Sequence, residues 1–166
     1  MGIVVDTARR CVFCRIIAGE EPAQLVFSDD VAIAFLDRRP LFEGHVLLVP
    51  RAHHETLDDL PAGLVGPLFE RARGLSVAVQ SATGAQGSFV AMNNRVSQSV
   101  PHLHVHVVPR RAGDGLRGFF WPRTSYDNDD AAAAMAASVA AADRSPRAVP
   151  PRSPPRCPPA PSPRRN

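Results

Sequence analysis

Three histidines alternate with aliphatic residues in the second half of the chain, at a spacing that suits chemistry. His102, His104 and His106 are separated by Leu103 and Val105. Because successive side chains of a β-strand point to opposite faces, a strand here would gather the three imidazoles on one face. An imidazole can be a nucleophile, a proton carrier or a metal ligand near neutral pH. The spacing therefore predicts a functional site on this strand.

Two cysteines near the N-terminus form a second group of reactive side chains. Cys11 and Cys14 have C-x-x-C spacing, and Cys157 lies far from them in sequence. The first residues carry no basic region ahead of their short apolar run, so no secretory signal is predicted and a cytoplasmic location is expected. In that compartment the C-x-x-C pair favours metal binding or redox chemistry over a structural disulfide.

The secondary-structure elements predicted around these residues are those of a mixed α+β domain. Short aliphatic segments with short connections favour an antiparallel sheet of about five strands. Apolar residues recur at helical spacing from Leu64 to Val79, which predicts one long helix on a face of the sheet, closed by Gly84. A shorter helical turn is expected before Gly19, and a surface helix across 130–143. The predicted strands are 25–27, 31–36, 45–49, 89–92 and 103–108.

The start of the long helix has its own signals. Asp58 and Asp59 are expected as its caps, with Pro61 in the first turn. The pair Gly66-Pro67 is expected to break or kink the helix early, because proline lacks the N–H that helix bonding needs.

Charge is unevenly distributed along the chain. The sequence has 19 arginines, no lysine and a formal net charge of +3. Six arginines and no acidic residue lie in 144–166, so residues 1–143 have 13 basic and 16 acidic side chains and a net charge of −3. This mildly acidic region does not favour nucleic acid as a partner. No apolar run approaches the roughly 20 residues of a membrane span, so no membrane partner is expected.

The composition divides the chain into three regions. Residues 1–10 are expected to form a flexible N-terminus, and residues 11–143 a single domain large enough for a real core. The tail, 144–166, holds nine of the 17 prolines and almost no large apolar side chain. Such a segment buries too little surface to offset the entropy of ordering, so disorder is predicted.

The histidine strand and several flanking segments resemble the histidine triad family. Together they cover roughly Cys11 to Tyr126, and the N-terminal segment resembles the bacterial branch of the family. The resemblance implies the histidine triad fold, with its antiparallel sheet extended across a homodimer. The segments that carry it are Cys11–Glu20, Asp37–Pro40, Gly44–His53, Gln98–Val100 and His102–Arg110.

The resemblance also implies an activity and a catalytic set. Members of the family cleave at the α-phosphate of a substituted nucleoside monophosphate or a dinucleoside polyphosphate, so a small-molecule nucleotide is the expected substrate. His104 matches the nucleophile that forms a nucleotidyl-histidine intermediate. His106 would stabilise charge on the phosphate, and His45 would deliver a proton to the leaving group. No organic cofactor is implied.

Further residues match positions that contact the nucleotide in the family. Asp37 corresponds to the carboxylate that accepts hydrogen bonds from the ribose hydroxyls, although a strand-end cap or an ion pair with a neighbouring arginine is the alternative. Asn93, Gln98 and Ser99, together with His106, correspond to phosphate and leaving-group contacts. The loop 93–98 departs from the family, whose loop is glycine-rich and slightly longer.

A structural zinc site is implied by the same resemblance. In the bacterial branch two cysteines and two histidines hold zinc, and these positions match Cys11, Cys14, His53 and His102. Two thiolates and two imidazoles make a closed tetrahedral site. A redox C-x-x-C pair is the competing interpretation.

Three rival functions remain at this stage. The first is a phosphorylase or nucleotidyltransferase of the same family, and the second is a nucleotide-binding regulatory module with negligible turnover. The third is a metal protein in which all three triad histidines are ligands. The aromatic residues Phe119–Trp121 could contact the substrate or fill a dimer interface.

Overall fold

The computed structural model describes residues 11–116 and 124–142, which belong to two separate units. The predicted flexible N-terminus, the tail 144–166 and the aromatic residues 119–121 lie outside these ranges. In the part that is described, no helix is long and apolar enough to cross a membrane. The elements of the first unit are α1 (Val12–Ile17), β1 (Leu25–Ser28), β2 (Ala32–Leu36), β3 (Val46–Pro50), a 3₁₀ turn (Leu57–Asp59), α2 (Ala62–Thr83), β4 (Gly87–Ala91) and β5 (Val105–Arg110).

The five strands form one antiparallel sheet in the order β1-β2-β3-β5-β4. The predicted α+β architecture is confirmed, and the predicted helix before the tail is α3 (Asp129–Ala142), in the second unit. The last strand begins at Val105, two residues later than predicted, so His102 and His104 lie in the segment that leads into it. Strand β5 lies between β3 and the edge strand β4, so His106 and the segment that leads into β5 belong to an interior strand of the sheet.

Each face of the sheet is covered by a different helix. Helix α2 packs its residues Leu68, Ala72, Leu75 and Val79 on one face, against a cluster that includes Leu103, Val105 and Val107. On the other face, Phe13 and Ile16 of α1 pack against β2 and β3. Because both faces are covered, β3 is a continuous run of buried residues rather than an alternating one.

Helix α2 differs from the prediction at its start. It runs without interruption from Ala62 to Thr83 through Pro67, so the expected break is wrong. Pro67 has no N–H, so the helix loses only the hydrogen bond that this residue would donate to the carbonyl of Gly63. Gly63 is exposed to water in the first turn of the helix. Asp59 does not cap this helix either, because its carboxylate accepts hydrogen bonds from the backbone N–H (3.0 Å) and hydroxyl (2.7 Å) of Thr56.

Candidate active site and metal cluster

A cavity of about 850 Å³ opens on the face of the sheet that α1 covers. Its volume lies within the range of small-ligand pockets. One part of its wall is apolar, with side chains from α1, β2 and β3, and the other part is polar, with Asp37, Ser99, His104 and His106. The apolar wall was not predicted from the sequence, although the apolar residues of α1 could have indicated it. The apolar lining includes Val12, Phe13, Ile16, Phe35 and Leu47.

His104 is held in one tautomer by the backbone. Its Nδ1 lies 2.7 Å from the carbonyl oxygen of His102, and the side chain is 3% exposed where it lines the cavity. A carbonyl oxygen can only accept, so Nδ1 carries the proton and donates it. The neutral ring therefore has its lone pair on Nε2, which is the nucleophilic nitrogen that covalent catalysis requires.

His45 and His106 form a second pair with fixed proton positions. The backbone N–H of Leu41 donates to His45 Nδ1 (3.2 Å), so neutral His45 carries its proton on Nε2. That nitrogen donates to His106 Nδ1 at 3.0 Å, which leaves the His106 proton on Nε2. Burial lowers the pKa of His45. Burial, with the nearby imidazoles of His104 and His45, lowers the pKa of His106 to about 4, so both rings are neutral at pH 7.

The rings of His104 and His106 are neighbours at the cavity wall. Their centroids are 4.9 Å apart with an interplanar angle of 67°. The ring of His104, whose lone pair is on Nε2, therefore lies beside the ring of His106, whose Nε2 carries a proton. Such a pair can attack an electrophilic phosphorus and bind one of its oxygens at the same time.

Asp37 lies just after β2 and lines the same cavity. Its Oδ1 accepts a hydrogen bond from the backbone N–H of Arg39 (2.8 Å), and its Oδ2 lies 3.6 Å from His45 Nδ1. The carboxylate is therefore fixed in direction while it remains at the cavity. Both the binding role and the cap role expected from the sequence are compatible with this geometry.

The loop 93–98 uses its polar side chains to hold itself together. Asn93 Nδ2 donates to the carbonyl of Ser97 (3.3 Å), and Gln98 donates to the carbonyl of Glu55 (2.6 Å) while accepting from the N–H of Arg95 (2.8 Å). Neither Asn93 nor Gln98 is among the residues that line the cavity, whereas Ser99 is. The nucleotide contacts expected of Asn93 and Gln98 stay predictions.

The same loop turns sharply without glycine. Arg95 and Ser97 both adopt positive φ angles, +64° and +59°, in the left-handed region that glycine occupies most easily. Contacts to the 3₁₀ turn hold this conformation in place. Asn94 accepts from the N–H of Leu57 (2.8 Å), and the Arg95 guanidinium lies 3.0 Å from the Asp58 carboxylate.

Cys11, Cys14, His53 and His102 come together as the sequence analysis expected. One ligand atom from each lies within 4.8 Å of all the others. His102 Nδ1 is 3.4 Å from the sulfur of Cys11 and 3.5 Å from that of Cys14, and His53 Nδ1 is 3.3 Å from the sulfur of Cys14. We call these four residues the Cys/His cluster. Its donor set is that of a tetrahedral zinc site.

The surroundings of the cluster fit a metal ion. His102 Nε2 donates to the carbonyl of Pro50 at 3.0 Å, which leaves the Nδ1 lone pair directed at both sulfurs. Burial lowers the pKa of His102 to about 4, so the ring is neutral, as a ligand must be. His102 therefore faces the cysteines and not the other two triad histidines. The group of potential ligands that contains His106 is instead Asp37, His45 and His106, among the described residues.

Comparison with known proteins agrees with the fold. The sequence model of the HIT domain family matches residues 18–113, more than half of the chain. The chain belongs to the HIT family. An Arabidopsis thaliana HIT protein named adenylylsulfatase is 36% identical over 108 residues, which span 64% of this chain and only 55% of the plant protein.

Two further HIT proteins resemble this one over more of their length. A Candida albicans protein named adenosine 5′-monophosphoramidase is 30% identical over 125 residues, or 72% of this chain and 82% of the yeast protein. The crystal structure of a zinc-bound histidine triad family protein from Mycobacterium smegmatis is 32% identical, with a TM-score of 0.63. That match covers 82% of this chain and 99% of the mycobacterial chain.

Proposed function

We propose that this HIT protein is a nucleotide hydrolase that cleaves at the α-phosphate through a nucleotidyl-His104 intermediate. The substrate is a substituted nucleoside monophosphate or a dinucleoside polyphosphate. The observation that carries the proposal is the hydrogen bond from His104 Nδ1 to the carbonyl of His102. It leaves a nucleophilic lone pair on Nε2 at the wall of a cavity large enough for a nucleotide.

In the first step His104 Nε2 attacks the α-phosphorus, and the bond from phosphorus to the leaving group breaks. The His106 Nε2–H donates to a phosphate oxygen and stabilises the charge that develops there. A leaving group that needs a proton receives it from His106 Nε2, His45 Nε2 restores one at His106 Nδ1 across their 3.0 Å contact, and His45 takes up a replacement from solvent, so that both rings stay neutral. The carbonyl of His102 stabilises the positive charge on the substituted imidazole.

In the second step a water molecule attacks the same phosphorus and breaks the bond to His104. The proton of the water passes through the His45–His106 pair in the opposite direction and returns to solvent, which supplied one in the first step. The products are a nucleoside monophosphate and neutral His104. The reaction is thus divided into two displacements at one phosphorus, each with its proton accounted for.

The cavity wall suggests how a nucleotide is held. Asp37 accepts from the ribose hydroxyls, and the apolar side chains of β2 and β3 contact the base. Ser99 contacts the phosphate or the leaving group, and Asn93 and Gln98 assist if the loop rearranges on binding. The names of the plant and yeast relatives support adenylated substrates with a sulfate or an amine as the leaving group.

Zinc is the metal that the Cys/His cluster suits best. Cys11, Cys14, His53 and His102 would hold it, and its chemistry there would be structural, because four protein ligands leave no open position. The buried Nε2 of His53 has no hydrogen-bond partner among the described residues. The zinc-bound mycobacterial relative supports this assignment. Bound metal would tie the N-terminal segment to the centre of the sheet.

The test measures AMP release from adenosine phosphoramidate, diadenosine polyphosphate and adenylyl sulfate by wild type, His104→Ala and His54→Ala. His54 is a matched control because it is also a histidine but does not line the cavity. We expect the His104 variant to lose several orders of magnitude in kcat/KM and the His54 variant to keep wild-type activity. Mass spectrometry of quenched wild type should show one nucleotidyl group on His104.

The same assay separates the rival functions. A requirement for inorganic phosphate, with ADP as product, would identify a phosphorylase. A protein that binds AMP but turns over no substrate, with or without His104, would be a regulatory module, and the proposed hydrolase would then be wrong.

A further inference from the structure

We propose that Phe13 is a positioning residue for the nucleophile, through which the Cys/His cluster acts on His104. The inference rests on the proposed function, since it takes His104 to be the nucleophile. Phe13 lies in α1, between the two cysteines of the cluster, and is 6% exposed. It therefore belongs both to the segment that the metal would fix and to the wall of the catalytic cavity.

The ring of Phe13 packs directly on the nucleophilic imidazole. The centroids of Phe13 and His104 are 5.3 Å apart at an interplanar angle of 78°, and those of Phe13 and His102 are 5.9 Å apart at 66°. These are edge-to-face contacts, which have a preferred geometry as well as a preferred distance. His106 contacts the His104 ring as well, with a centroid separation of 4.9 Å.

Rotation of the His104 side chain is thus restricted at three places. The Nδ1 nitrogen is held by the carbonyl of His102, and the ring is contacted by Phe13 and by His106. If Phe13 were lost, the hydrogen bond at Nδ1 would remain but the ring could tilt about it, which would move Nε2. A displacement of about 1 Å at a reacting atom costs on the order of 100-fold in rate.

Two residues, His102 and Phe13, connect the Cys/His cluster to His104. His102 provides a ligand nitrogen from its side chain and the acceptor for His104 from its backbone. Phe13 is fixed by the ligands on either side of it, Cys11 and Cys14, and its ring contacts His104. A metal site that is structural in its chemistry is therefore a positioning device for the nucleophile.

The experiment compares Phe13→Leu with Phe35→Leu in the full chain. Phe35 is a matched control because it lines the same cavity and packs on Phe13 at 5.4 Å, but has no ring contact with His104. We expect Phe13→Leu to lower kcat by about 10- to 100-fold while KM stays within about threefold. Phe35→Leu should change KM more than kcat, as expected for a residue that contacts the bound base but not the ring of His104.

A second readout does not depend on turnover. In ¹⁵N–¹H spectra of the histidine rings, wild type should show a slowly exchanging His104 Nδ1–H, which should broaden or disappear in Phe13→Leu. Removing the metal from wild type with a chelator should have the same effect. If Phe13→Leu fails to fold, Phe13→Met tests the same ring contact with a side chain of similar volume.

Each result supports or overturns the inference. A raised KM with unchanged kcat in Phe13→Leu would make Phe13 a base contact, and an unchanged His104 signal after metal removal would uncouple the cluster from the nucleophile. Failure of the proposed function is distinguishable, because wild type itself would then form no nucleotidyl-His104. If wild type forms that intermediate and Phe13→Leu forms it equally fast, only the positioning role is wrong.

Discussion

At the scale of single residues, hydrogen bonds to the backbone decide what each histidine can do. The carbonyls of His102 and Pro50 accept from His104 and His102, respectively, and the N–H of Leu41 donates to His45. A backbone donor or acceptor cannot change its role, so each fixes one tautomer of a neutral imidazole. These tautomers suit His104, His45 and His102 to the different roles proposed for them as nucleophile, proton donor and metal ligand.

The depressed pKa of His106 predicts a pH dependence of stability. Because burial holds this pKa near 4 in the folded protein, against about 6.5 when unfolded, only the unfolded state takes up a proton at this site between those values. The free energy of unfolding should therefore fall as the pH drops from about 6.5 to about 4, by at most ~1.4 kcal/mol per pH unit. Urea unfolding across this range, with wild type and His106→Asn, measures the contribution.

The variant should show a shallower pH dependence than wild type. Other buried histidines and any bound metal contribute to both proteins, so the difference between the two slopes isolates His106. Parallel curves for wild type and variant would show that this ring is not held neutral by the fold.

At the scale of elements, two short segments position the site. Helix α1 has only six residues and no side-chain cap, so its place depends on packing against β2 and β3 and on the Cys/His cluster. The loop 93–98 instead depends on polar contacts to the residues around the 3₁₀ turn. Neither segment would be stable alone, and each is held by residues distant in sequence.

Removing one ligand should release α1 from the sheet. We expect Cys14→Ser to lose the bound metal, measured as zinc per chain, and to lower the Tm by several degrees, because metal that binds only the folded state stabilises it. Cys157→Ser is the control, since the same change is made outside the predicted cluster. Equal metal content and Tm in both variants would contradict the assignment of Cys14.

The left-handed residues of the loop predict a stabilising substitution. A non-glycine residue in this conformation is destabilised by about 1–2 kcal/mol. Glycine avoids that strain, but part of the gain is cancelled because glycine loses more backbone entropy on folding. Ser97→Gly should therefore stabilise the protein by ~0.5–1 kcal/mol. The same change at the exposed helical residue Ser81 should destabilise it by ~0.5 kcal/mol. Chemical denaturation measures both, and a loss of stability in both variants would show that the Ser97 conformation is not strained.

At the scale of the whole molecule, the sheet has two edges, β1 and β4. An unpaired edge beside apolar surface invites a further strand. Both edge strands expose apolar side chains, Leu25 (59%) and Val26 (45%) on β1 and Val90 (40%) on β4, but at β4 the exposed surface continues onto the long helix, where Val77 (64%) follows the Ser76 that hydrogen bonds to Ser88. The homodimer expected from the family resemblance is therefore proposed to form at the β4 edge, where two five-stranded sheets would join.

A charge at that edge should separate the subunits. We expect Val90→Asp to shift the protein to a monomer, because a dimer would bury the new carboxylate beside its own symmetry mate. Val26→Asp is the control, since Val26 is 45% exposed on the opposite edge strand. Light scattering after size-exclusion chromatography measures both masses. A dimer that survives Val90→Asp and dissociates in Val26→Asp would place the interface at β1.

Sequence patterns anticipated most of the elements but fewer of their ends. The hairpin of β1 and β2, the long helix and its end at Gly84 follow from local periodicity and turn residues, and the structure confirms them. The continuity of α2 through Pro67 does not follow from those rules, because it depends on where in the helix the proline falls. The role of Asp59 was also missed, since a capping residue upstream, Thr56, uses its carboxylate.

By itself, the sequence determined which residues are able to react and that they share a strand-like alternation. Local spacing suffices for that, because it sets the face to which each side chain points. The tertiary structure brings His102 to the cysteines, as the family resemblance implied, and it alone decided that Gln98 holds a loop and that α1 provides part of the cavity wall. The cysteine and histidine of the first contact are 91 residues apart, and contacts at such separation depend on how the whole chain packs.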